Sequence, residues 1–398
     1  MKVYLTGGWG YGNKGDNAIY EAMVRSIKAE FGDVEFLVTS FNSEETMIQH
    51  RHKSIRSIHS YLTKKAPLAI PRWIGVAFWH LTGIRAFLSP ALRQHLRNVS
   101  ESDIVVMGGG GYFNDAWVDM LLSRYVEIEM AHKSGTPIII YGQTVGPFGK
   151  RWMMPFFASY MNKISGIAYR DRQSESAIKK ASYPGSKCIL TADEVNLMPV
   201  LEPADIGSPG CFNVGVMVQK FRPHLGPDGP SAPGRIRNEE HYIKEVAEGL
   251  TKFSLDNPGV CFHFIPSTSW DEPTCMAVHK IVREKCDSRF YSDPHVLDFM
   301  RLCQSVDLMV STNMHPIILA ATNSKPGVAL SYHYKLDDYM VESNQQASVL
   351  RIDDFTSDGL MKLMSSAKSK GTNARPQTTE LKSMARRNVA MMKKVLGH

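Results

Sequence analysis

A histidine follows a short apolar segment in the C-terminal part of the chain. The run Leu308–Ser311 predicts a buried strand, and Thr-Asn-Met and then His315 come after it. Pro316 suits the first position of a helix over Ile317–Thr322. His315 is therefore expected at a helix N-terminus, where the positive end of the helix dipole attracts an anion.

A lysine follows the next predicted strand, Gly327–Ser331. That strand is expected to bring Tyr332, His333 and Lys335 to the edge that carries His315. A histidine beside a helix is commonly a structural residue, and this interpretation stays open. A lysine and glycine-rich loops in its company favour an anion site with proton-transfer chemistry.

An arginine in the first half of the chain is a further candidate. Arg170 stands in Tyr-Arg-Asp-Arg, after a short predicted strand that ends at Tyr169. Its guanidinium fork suits bidentate binding of phosphate or carboxylate. The alternative is a local ion pair with Asp171 or Asp193.

A glycine-rich segment follows the first predicted strand. Residues 7–16 read GGWGYGNKGD, and Gly10, Gly12 and Gly15 form a GxGxxG pattern that can bring backbone N–H groups close to an anion. A dinucleotide site would need an acidic residue after the second strand, where Ser40, Phe41 and Asn42 stand instead. The structural alternative is a tight turn with Asp16 as the helix N-cap.

Two further glycine-rich segments, GGGGYFND at 108–115 and GQTVGP at 142–147, are predicted to be loops after strands. Three such loops indicate one shared cleft for an acceptor. We assign to it Gly10, Tyr11, Gly12, Asn13, Asp16, Gly109, Gly110, Asn114 and Gln143. Nearby aromatic side chains could stack on a sugar or fill the core: Trp9, Tyr11, Tyr112, Phe113 and Trp117.

Strands and helices alternate along both halves of the chain, which predicts an α/β fold with parallel sheets. The proline-rich run Pro199–Pro209 separates the two series. We predict two Rossmann-like domains, 1–200 and 210–375, facing a central cleft, and a capping helix within 376–398 whose apolar spacing spans Thr379–Leu396.

Composition narrows the function classes. The chain has 398 residues, 43% hydrophobic and 21% charged, as expected of a folded protein with two domains. A net charge of +7 without a long basic run argues against a nucleic-acid partner and fits anionic small molecules or an anionic membrane surface. Six cysteines without metal-type spacing indicate reduced thiols, and no secretory signal is visible, so a cytoplasmic location is expected.

Two irregular segments stand out. Ile70–Leu88 is apolar but interrupted by charged residues and proline, so it is not expected to cross a bilayer. Trp73–Leu88 is either a buried helix or an interfacial segment that docks at the inner face of the membrane. Phe221–Arg237 is expected to be a basic loop, either mobile over the cleft or without a role.

Taken together, these motifs resemble the polysaccharide pyruvyl transferase family over nearly the whole chain. The resemblance rests on GYGNKGDNAI, VVMGGGGYFND, YGQTVGPF, YRDRQS, TADEV, and STNMH with SYHYK, in this order. It implies a GT-B-like fold and transfer of pyruvate from phosphoenolpyruvate onto two hydroxyls of a saccharide, with release of phosphate. It implies no metal or organic cofactor.

The resemblance also implies roles for individual residues. His315 would act as general acid and then as base, with Arg170 and Lys335 binding the donor anion beside Asn313 and Met314. The family's common arginine two residues before the histidine is Asn313 here, which carries no charge. The group of cations that binds the donor anion would therefore be weaker, or Arg222, Arg235 or Arg237 would contribute a positive charge to it.

Two other functions remain open at this stage. A GT-B glycosyltransferase would also bind its nucleotide-sugar donor at helix N-termini, and a non-catalytic glycan-binding relative is consistent with Asn313. Neither the acceptor sugar nor the oligomeric state can be read from the sequence. A lipid-linked acceptor would account for Trp73–Leu88 as an interfacial segment.

Overall fold

A computed structural model describes residues 1–149, 153–206, 210–226, 229–230, 234–371 and 375–397 of the chain. These residues form two compact units. The first comprises Met1–Tyr11, Ile19–Glu194 and Lys382–His398, and the second comprises Gly12–Ala18 and Val195–Leu381. Each unit is built on its own parallel sheet.

The first sheet has seven strands in the order β3-β2-β1-β4-β5-β6-β7, all parallel. This is the doubly wound Rossmann order, extended by one strand. Loops leaving β1 and β4 diverge to opposite faces, which makes this point a natural ligand site. The strands are β1 Lys2–Thr6, β2 Glu35–Ser40, β3 Ser54–Arg56, β4 Ile104–Phe113, β5 Ile138–Val145, β6 Gly166–Tyr169 and β7 Cys188–Leu190.

Helices cover this sheet because its strands are buried on both faces, as the apolar runs of β4 and β5 require. The helices are α1 Lys14–Phe31, α2 Ser43–His50, α3 His59–Leu62, α4 Ala69–Thr82, α5 Pro90–Ser100, α6 Val118–Ser134, α7 Met153–Met161 and α8 Arg172–Lys180. Short 3-10 turns span Arg85–Phe87, Asp115–Trp117 and Gly185–Lys187.

The second sheet has six strands in the order β12-β11-β8-β13-β14-β15, again all parallel and again in the Rossmann order. They are β8 Phe212–Met217, β11 Val260–Phe264, β12 Asp287–Phe290, β13 Leu308–Ser311, β14 Gly327–Ser331 and β15 Val349–Arg351. A two-stranded antiparallel ladder, β9 Leu225–Gly226 and β10 Gly229–Pro230, lies in the predicted basic loop. The two parallel sheets confirm the predicted α/β class.

Helices of the second unit are α9 Glu239–Asp256, α10 Glu272–Val282, α11 Val296–Ser305, α12 Met314–Thr322, α13 Tyr334–Glu342 and α14 Ser357–Lys370, with 3-10 turns at Glu194–Leu197 and Gln346–Ser348. The core between α9 and the sheet includes Val216, Phe262 and Val310. The last helix, α15, spans Thr379–Leu396, the predicted range. From Lys382 onward it belongs to the first unit, and the division between the units falls after Glu194, before the predicted linker, of which residues 207–209 lie outside the described part.

Two predictions about local structure were wrong. Strand β4 continues through the four glycines to Phe113, and β5 includes Gly142 and Gln143, so neither glycine segment is a loop. A Cβ on Gly109 would lie 2.2 Å from Ile19 of α1. Gly109 therefore lets helix and sheet pack closely, and the same holds for Gly108 against Met23.

None of the helices in the described part of the chain is long and apolar enough to span a membrane. The predicted apolar segment around Trp73 forms α4 instead. One face of α4 is buried through Val76 and Trp79, and the opposite face is exposed.

Candidate active site

The carboxyl edge of the second sheet carries the first group of predicted residues. Loops after β8 and β13 leave this edge side by side, because the two strands are neighbours. Thr312 N–H donates to Met217 O at 2.9 Å, and Gln219 N–H donates to Thr312 Oγ1 at 3.0 Å. These bonds hold both loops in place at the point where the strand order reverses.

His315 lies in the first turn of α12, which begins at Met314, two residues before the predicted start. Asn313 is the N-cap residue. Gly15 of the second unit packs against the imidazole, since a Cβ on Gly15 would lie 2.2 Å from His315 Nδ1. The glycine-rich segment and the histidine, about 300 residues apart in sequence, are thus in contact within one unit.

The start of α1 is fixed by its own polar contacts. Lys14 N–H donates to Ser267 O at 2.9 Å, and the buried Lys14 ammonium pairs with Asp293 Oδ1 at 2.7 Å. Asn13 Oδ1 accepts from Gly15 N–H at 2.9 Å. Asn13 is therefore the residue that caps this helix, whereas the alternative we considered gave that role to Asp16, which lies inside the first turn.

Lys335 lies in the first turn of the next helix, α13. His333 is its N-cap, and His333 Nδ1 accepts from Lys335 N–H at 3.2 Å. β14 ends at Ser331, the predicted end, and the first turn of α13 then positions the lysine. Asn313, Met314, His315 and Lys335 thus lie at two adjacent helix N-termini of one sheet edge.

A buried carboxylate completes this edge, and sequence reasoning missed it. Asp271 follows β11 and accepts hydrogen bonds from Thr268 Oγ1 at 2.8 Å and from Asn313. Burial raises the pKa of Asp271 to about 6, although Thr268, Arg222 and Asn313 oppose this shift. No motif marks Asp271, and only its position after a buried strand could have pointed to it.

Arg222 is the basic-loop arginine that acts on this edge. Its charge influences both Asp271 and the Tyr332 hydroxyl, whose pKa burial raises despite Arg222. Arg235, by contrast, pairs with Glu245 at 2.8 Å. Within the predicted loop, residues 227–228 and 231–233 lie outside the described part of the chain.

Ser267 Oγ, after β11, is a buried polar atom at the same edge that has no hydrogen-bond partner among the described residues. The Ser267 side chain is more than nine-tenths buried. A bound ligand with an acceptor oxygen would satisfy this hydroxyl.

Arg170 belongs to the first unit and follows β6. Its guanidinium pairs with Asp193, and its Nε donates to Thr144 Oγ1 at 3.3 Å. The local ion pair that sequence analysis left open is therefore present. A role in donor binding stays a prediction.

The remaining predicted acceptor residues differ in exposure. Gln143 is fully buried and donates through Nε2 to Met107 O and to Tyr112 Oη, both at 2.7 Å. Asn114 caps the turn that follows β4 and accepts from Ala116 N–H at 2.9 Å. Gly10 and Gly110 have positive φ, which favours glycine. Asn114 and Gln143 thus hold the backbone around β4 in place, and their role at an acceptor site stays a prediction.

Beneath the first loop lies a buried ion pair that the sequence did not reveal. Arg124 Nη1 contacts Glu127 Oε2 at 2.7 Å, and Arg124 Nη2 donates to Gly7 O at 2.8 Å. The guanidinium also lies over the Tyr112 ring at 4.8 Å. This network fixes the carboxyl end of β1.

Of the five predicted aromatic residues, Trp9, Tyr112 and Phe113 are buried in the core. Tyr11 and Trp117 are exposed and line one cavity of about 410 Å³ in the first unit. Tyr11 stacks on Phe41 at 4.0 Å. Polar side chains share this cavity: His59, Thr63, Lys64 and Asp119. Aromatic faces beside a few polar groups suit a sugar ring.

The two units, each built on a parallel sheet in the Rossmann order, place the chain among proteins with a GT-B-like fold. A UDP-GlcNAc 2-epimerase from Neisseria meningitidis, bound to UDP-GlcNAc, superimposes with a TM-score of 0.59 at 10% identity over 99% of this chain and 100% of its own. HepE from Anabaena, in complex with UDP-glucose, gives 0.53 at 13% identity over 100% and 98%. These likenesses confirm the predicted fold class.

Within this class the chain belongs to the polysaccharide pyruvyl transferase family, whose model matches residues 13–334. The amylovoran biosynthesis protein AmsJ of Erwinia amylovora is 20% identical over 372 residues, which cover 84% of each chain. The family comprises transferases of polysaccharide biosynthesis, so the predicted family is confirmed.

Proposed function

We propose that the chain transfers pyruvate from phosphoenolpyruvate onto two hydroxyls of a saccharide, forming a cyclic ketal and releasing phosphate. Family membership supports the reaction class. The observation that carries the proposal is the pair of adjacent helix N-termini with His315 and Lys335 in their first turns. Such an edge attracts the two anionic groups of phosphoenolpyruvate.

In the proposed reaction, C3 of the donor gains a proton and C2 becomes electrophilic. One acceptor hydroxyl adds to C2, the bond between C2 and the phosphate oxygen breaks, and the second hydroxyl adds to close the ketal. Both hydroxyl protons leave, one replacing the proton given to C3 and the other going with phosphate. His315 supplies and receives the proton in this scheme.

Asp271 is a second candidate for proton transfer at the same edge. A carboxyl group whose pKa is raised to about 6 exchanges protons near neutral pH. Its hydrogen bond from Asn313 links it to the position at which the family's common arginine is absent. We assign Asp271 to the shuttling of the proton that leaves an acceptor hydroxyl.

Arg222 supplies the positive charge that Asn313 lacks. It is exposed, and its charge acts on Asp271 and Tyr332, so Arg222 lies within electrostatic reach of the carboxyl edge of the second sheet. A guanidinium binds phosphate or carboxylate through two parallel hydrogen bonds. Lys335 and Arg222 of the second unit together form the donor clamp in this proposal.

The acceptor is assigned to the first unit, at the cavity lined by Tyr11 and Trp117. Sugar rings bind aromatic faces through their apolar C–H side while their hydroxyls seek polar groups. Desolvation lowers the pKa of His59, with the Arg124 charge acting in the same direction, so the imidazole is neutral there and suited to hydrogen bonding. A larger cavity of about 720 Å³ in the second unit includes Glu202, Asp205 and Asp298, which makes it unsuited to an anionic donor.

A nucleotide-sugar donor is the second candidate, favoured by the UDP and UDP-glucose complexes of proteins with this fold. A non-catalytic glycan-binding protein is the third. Incubation with phosphoenolpyruvate and a panel of saccharides should release phosphate only when an acceptor is present. Release of UDP from a UDP-sugar in the presence of an acceptor, without phosphate release from phosphoenolpyruvate, would favour the second candidate. Glycan binding without turnover of either donor would favour the third.

A further inference from the structure

The positive charge of the chain is concentrated in one segment. Residues 47–100 contain no Asp or Glu, although the whole chain has 39 of them. The same segment contains nine basic side chains: Arg51, Lys53, Arg56, Lys64, Lys65, Arg72, Arg85, Arg93 and Arg97. Its charge therefore exceeds the net +7 of the entire chain.

The same segment also carries an exposed apolar surface. Seven large hydrophobic side chains are exposed along α4 and the 3-10 turn that follows it; we call them the α4 patch. They are Leu68, Ile70, Ile74, Phe78, Leu81, Ile84 and Phe87. Ile70 and Leu81 are 75% and 78% exposed. A helix that is apolar on both faces at a protein surface needs a partner for the outer face.

The inner face of α4 is already satisfied by the fold. Val76 and Trp79 are buried, and Trp73 Nε1 donates to Leu62 O at 2.9 Å. Lys133 lies over the Trp79 ring at 5.7 Å. Ile70, Ile74 and Leu81 lie on the other, exposed face of α4. This exposed face is therefore not required to hold α4 in place.

The patch is also preformed. Gly83 ends α4 in the left-handed conformation, φ 74°, and turns the chain back. Phe87 then stacks on Phe78 at 5.3 Å, and its carbonyl oxygen occupies the space of a Cβ on Gly75. An apolar ridge with basic side chains at both ends results, with Lys65 before it and Arg85 within its return turn, both exposed.

We infer that the α4 patch docks the protein on an anionic membrane surface. Its apolar side chains enter the acyl boundary, and its basic neighbours contact lipid phosphates. Charge complementarity favours an anionic membrane over a second copy of the protein as the partner of the α4 patch. A segment without a single carboxylate repels a second copy of itself and attracts anionic lipid. Such docking would bring the acceptor cavity of the first unit, which shares Lys64 with this segment, to a lipid-linked saccharide.

The test uses the full chain without any substrate, so that its outcome does not depend on the reaction. Wild-type protein should co-sediment with vesicles of phosphatidylglycerol and phosphatidylcholine and at least tenfold less with phosphatidylcholine alone. The double variant Ile74→Asp/Leu81→Asp should lose at least tenfold of this binding. The control Leu255→Asp, which replaces another exposed leucine, 70% exposed and outside the patch, should bind like wild type.

Charge is tested separately with Lys65→Glu/Arg85→Glu against Lys280→Glu/Lys285→Glu, two exposed lysines of the second unit. Only the first pair should weaken vesicle binding, and high salt should reduce wild-type binding. Wild-type protein that stays in the supernatant would overturn the inference. So would normal binding by the apolar variant, or a wild-type dimer that this variant converts to a monomer.

Discussion

At the scale of single residues, the position of His315 depends on the absence of a side chain at Gly15. Gly15 lies in the first turn of α1, and the imidazole occupies the space that a Cβ would fill. Alanine is otherwise favoured over glycine in a helix by about 1 kcal/mol. The site therefore requires glycine at a position where helix stability alone would favour alanine.

Replacing Gly15 with alanine should consequently separate activity from stability. We expect kcat/KM to fall about 100-fold, because a displacement of the catalytic group by about 1 Å has effects of this size. The free energy of unfolding should change by less than about 1 kcal/mol. Gly185→Ala, at a glycine with open space around it, is the matched control. Full activity of Gly15→Ala would remove His315 from the catalytic role.

Arg222 and Arg237 form a second comparison, since both are exposed arginines of the basic loop. Arg222→Gln should raise the KM for phosphoenolpyruvate roughly tenfold or more, because a hydrogen bond to a charged group contributes about 1.5–3 kcal/mol. Arg237→Gln should leave this KM unchanged. Steady-state kinetics with varied donor measure both, and equal effects of the two variants would contradict the assignment of Arg222.

Sequence reasoning found some of these residues and missed others for a physical reason. His315 and Lys335 follow apolar strands, so strand patterning could predict that they share an edge. Asp271 and the contact of Gly15 with His315 depend on tertiary packing, which no local spacing encodes. Arg222 was one of three candidates, and two features of the tertiary structure favour it: Arg235 pairs with Glu245, and the charge of Arg222 acts on Asp271.

At the scale of elements, a buried carboxyl group anchors the last helix, α15, in the first unit. Asn388 Nδ2 of α15 donates to Glu194 Oε2 at 2.7 Å, and Tyr141 of β5 donates to Glu194 Oε1 at 3.0 Å. Burial raises the pKa of Glu194 from 4.5 to about 7, although its hydrogen bonds lower it. The link between helix and strand is therefore sensitive to pH.

Folding stability should fall as this carboxyl group ionises. The folded pKa lies above the ordinary value, so the stability that Glu194 contributes is fully present below about pH 4.5 and is lost as pH rises through about 7. The loss amounts to about 3 kcal/mol. Glu194→Gln should flatten the dependence of the unfolding free energy on pH in denaturant titrations, whereas the exposed Glu202→Gln should not. If the unfolding free energies of wild type and Glu194→Gln changed with pH in parallel, Glu194 would not be the source of the pH dependence.

Element types were predictable where periodicity is strong, as for α15 and β13, whose bounds agree with the sequence. The structure of the glycine segments was not predictable, because four consecutive glycines, considered without their tertiary contacts, suggest a loop. In the fold they continue β4, since α1 packs closely enough to require them. Packing between a helix and a sheet overrode the local conformational preference.

At the scale of the whole molecule, we propose donor binding in the second unit and acceptor binding in the first. The Rossmann order of both sheets could be expected from the alternation of strands and helices. The assignment of individual segments to the two units could not be expected from the sequence. Residues 12–18 belong to the second unit and most of the last helix belongs to the first, although each segment is far in sequence from the rest of its unit.

This division predicts separable kinetic effects. Trp117→Ala should raise the KM for the saccharide roughly five- to tenfold by removing an exposed aromatic face, and should leave the KM for phosphoenolpyruvate unchanged. Trp270→Ala, a tryptophan of similar exposure in the second unit, should change neither; the two are 62% and 63% exposed. A change in the donor KM alone would contradict an acceptor site at Trp117.

In the proposed function, phosphoenolpyruvate is the donor and His315 acts on it. The most direct measurement follows ¹³C-labelled phosphoenolpyruvate into the saccharide by mass spectrometry, with wild type and His315→Ala side by side. Wild type should add labelled pyruvate less one water to the acceptor and release one phosphate for each, and His315→Ala should do neither while remaining folded. Unlabelled acceptor after phosphate release, or full labelling by His315→Ala, would contradict the account.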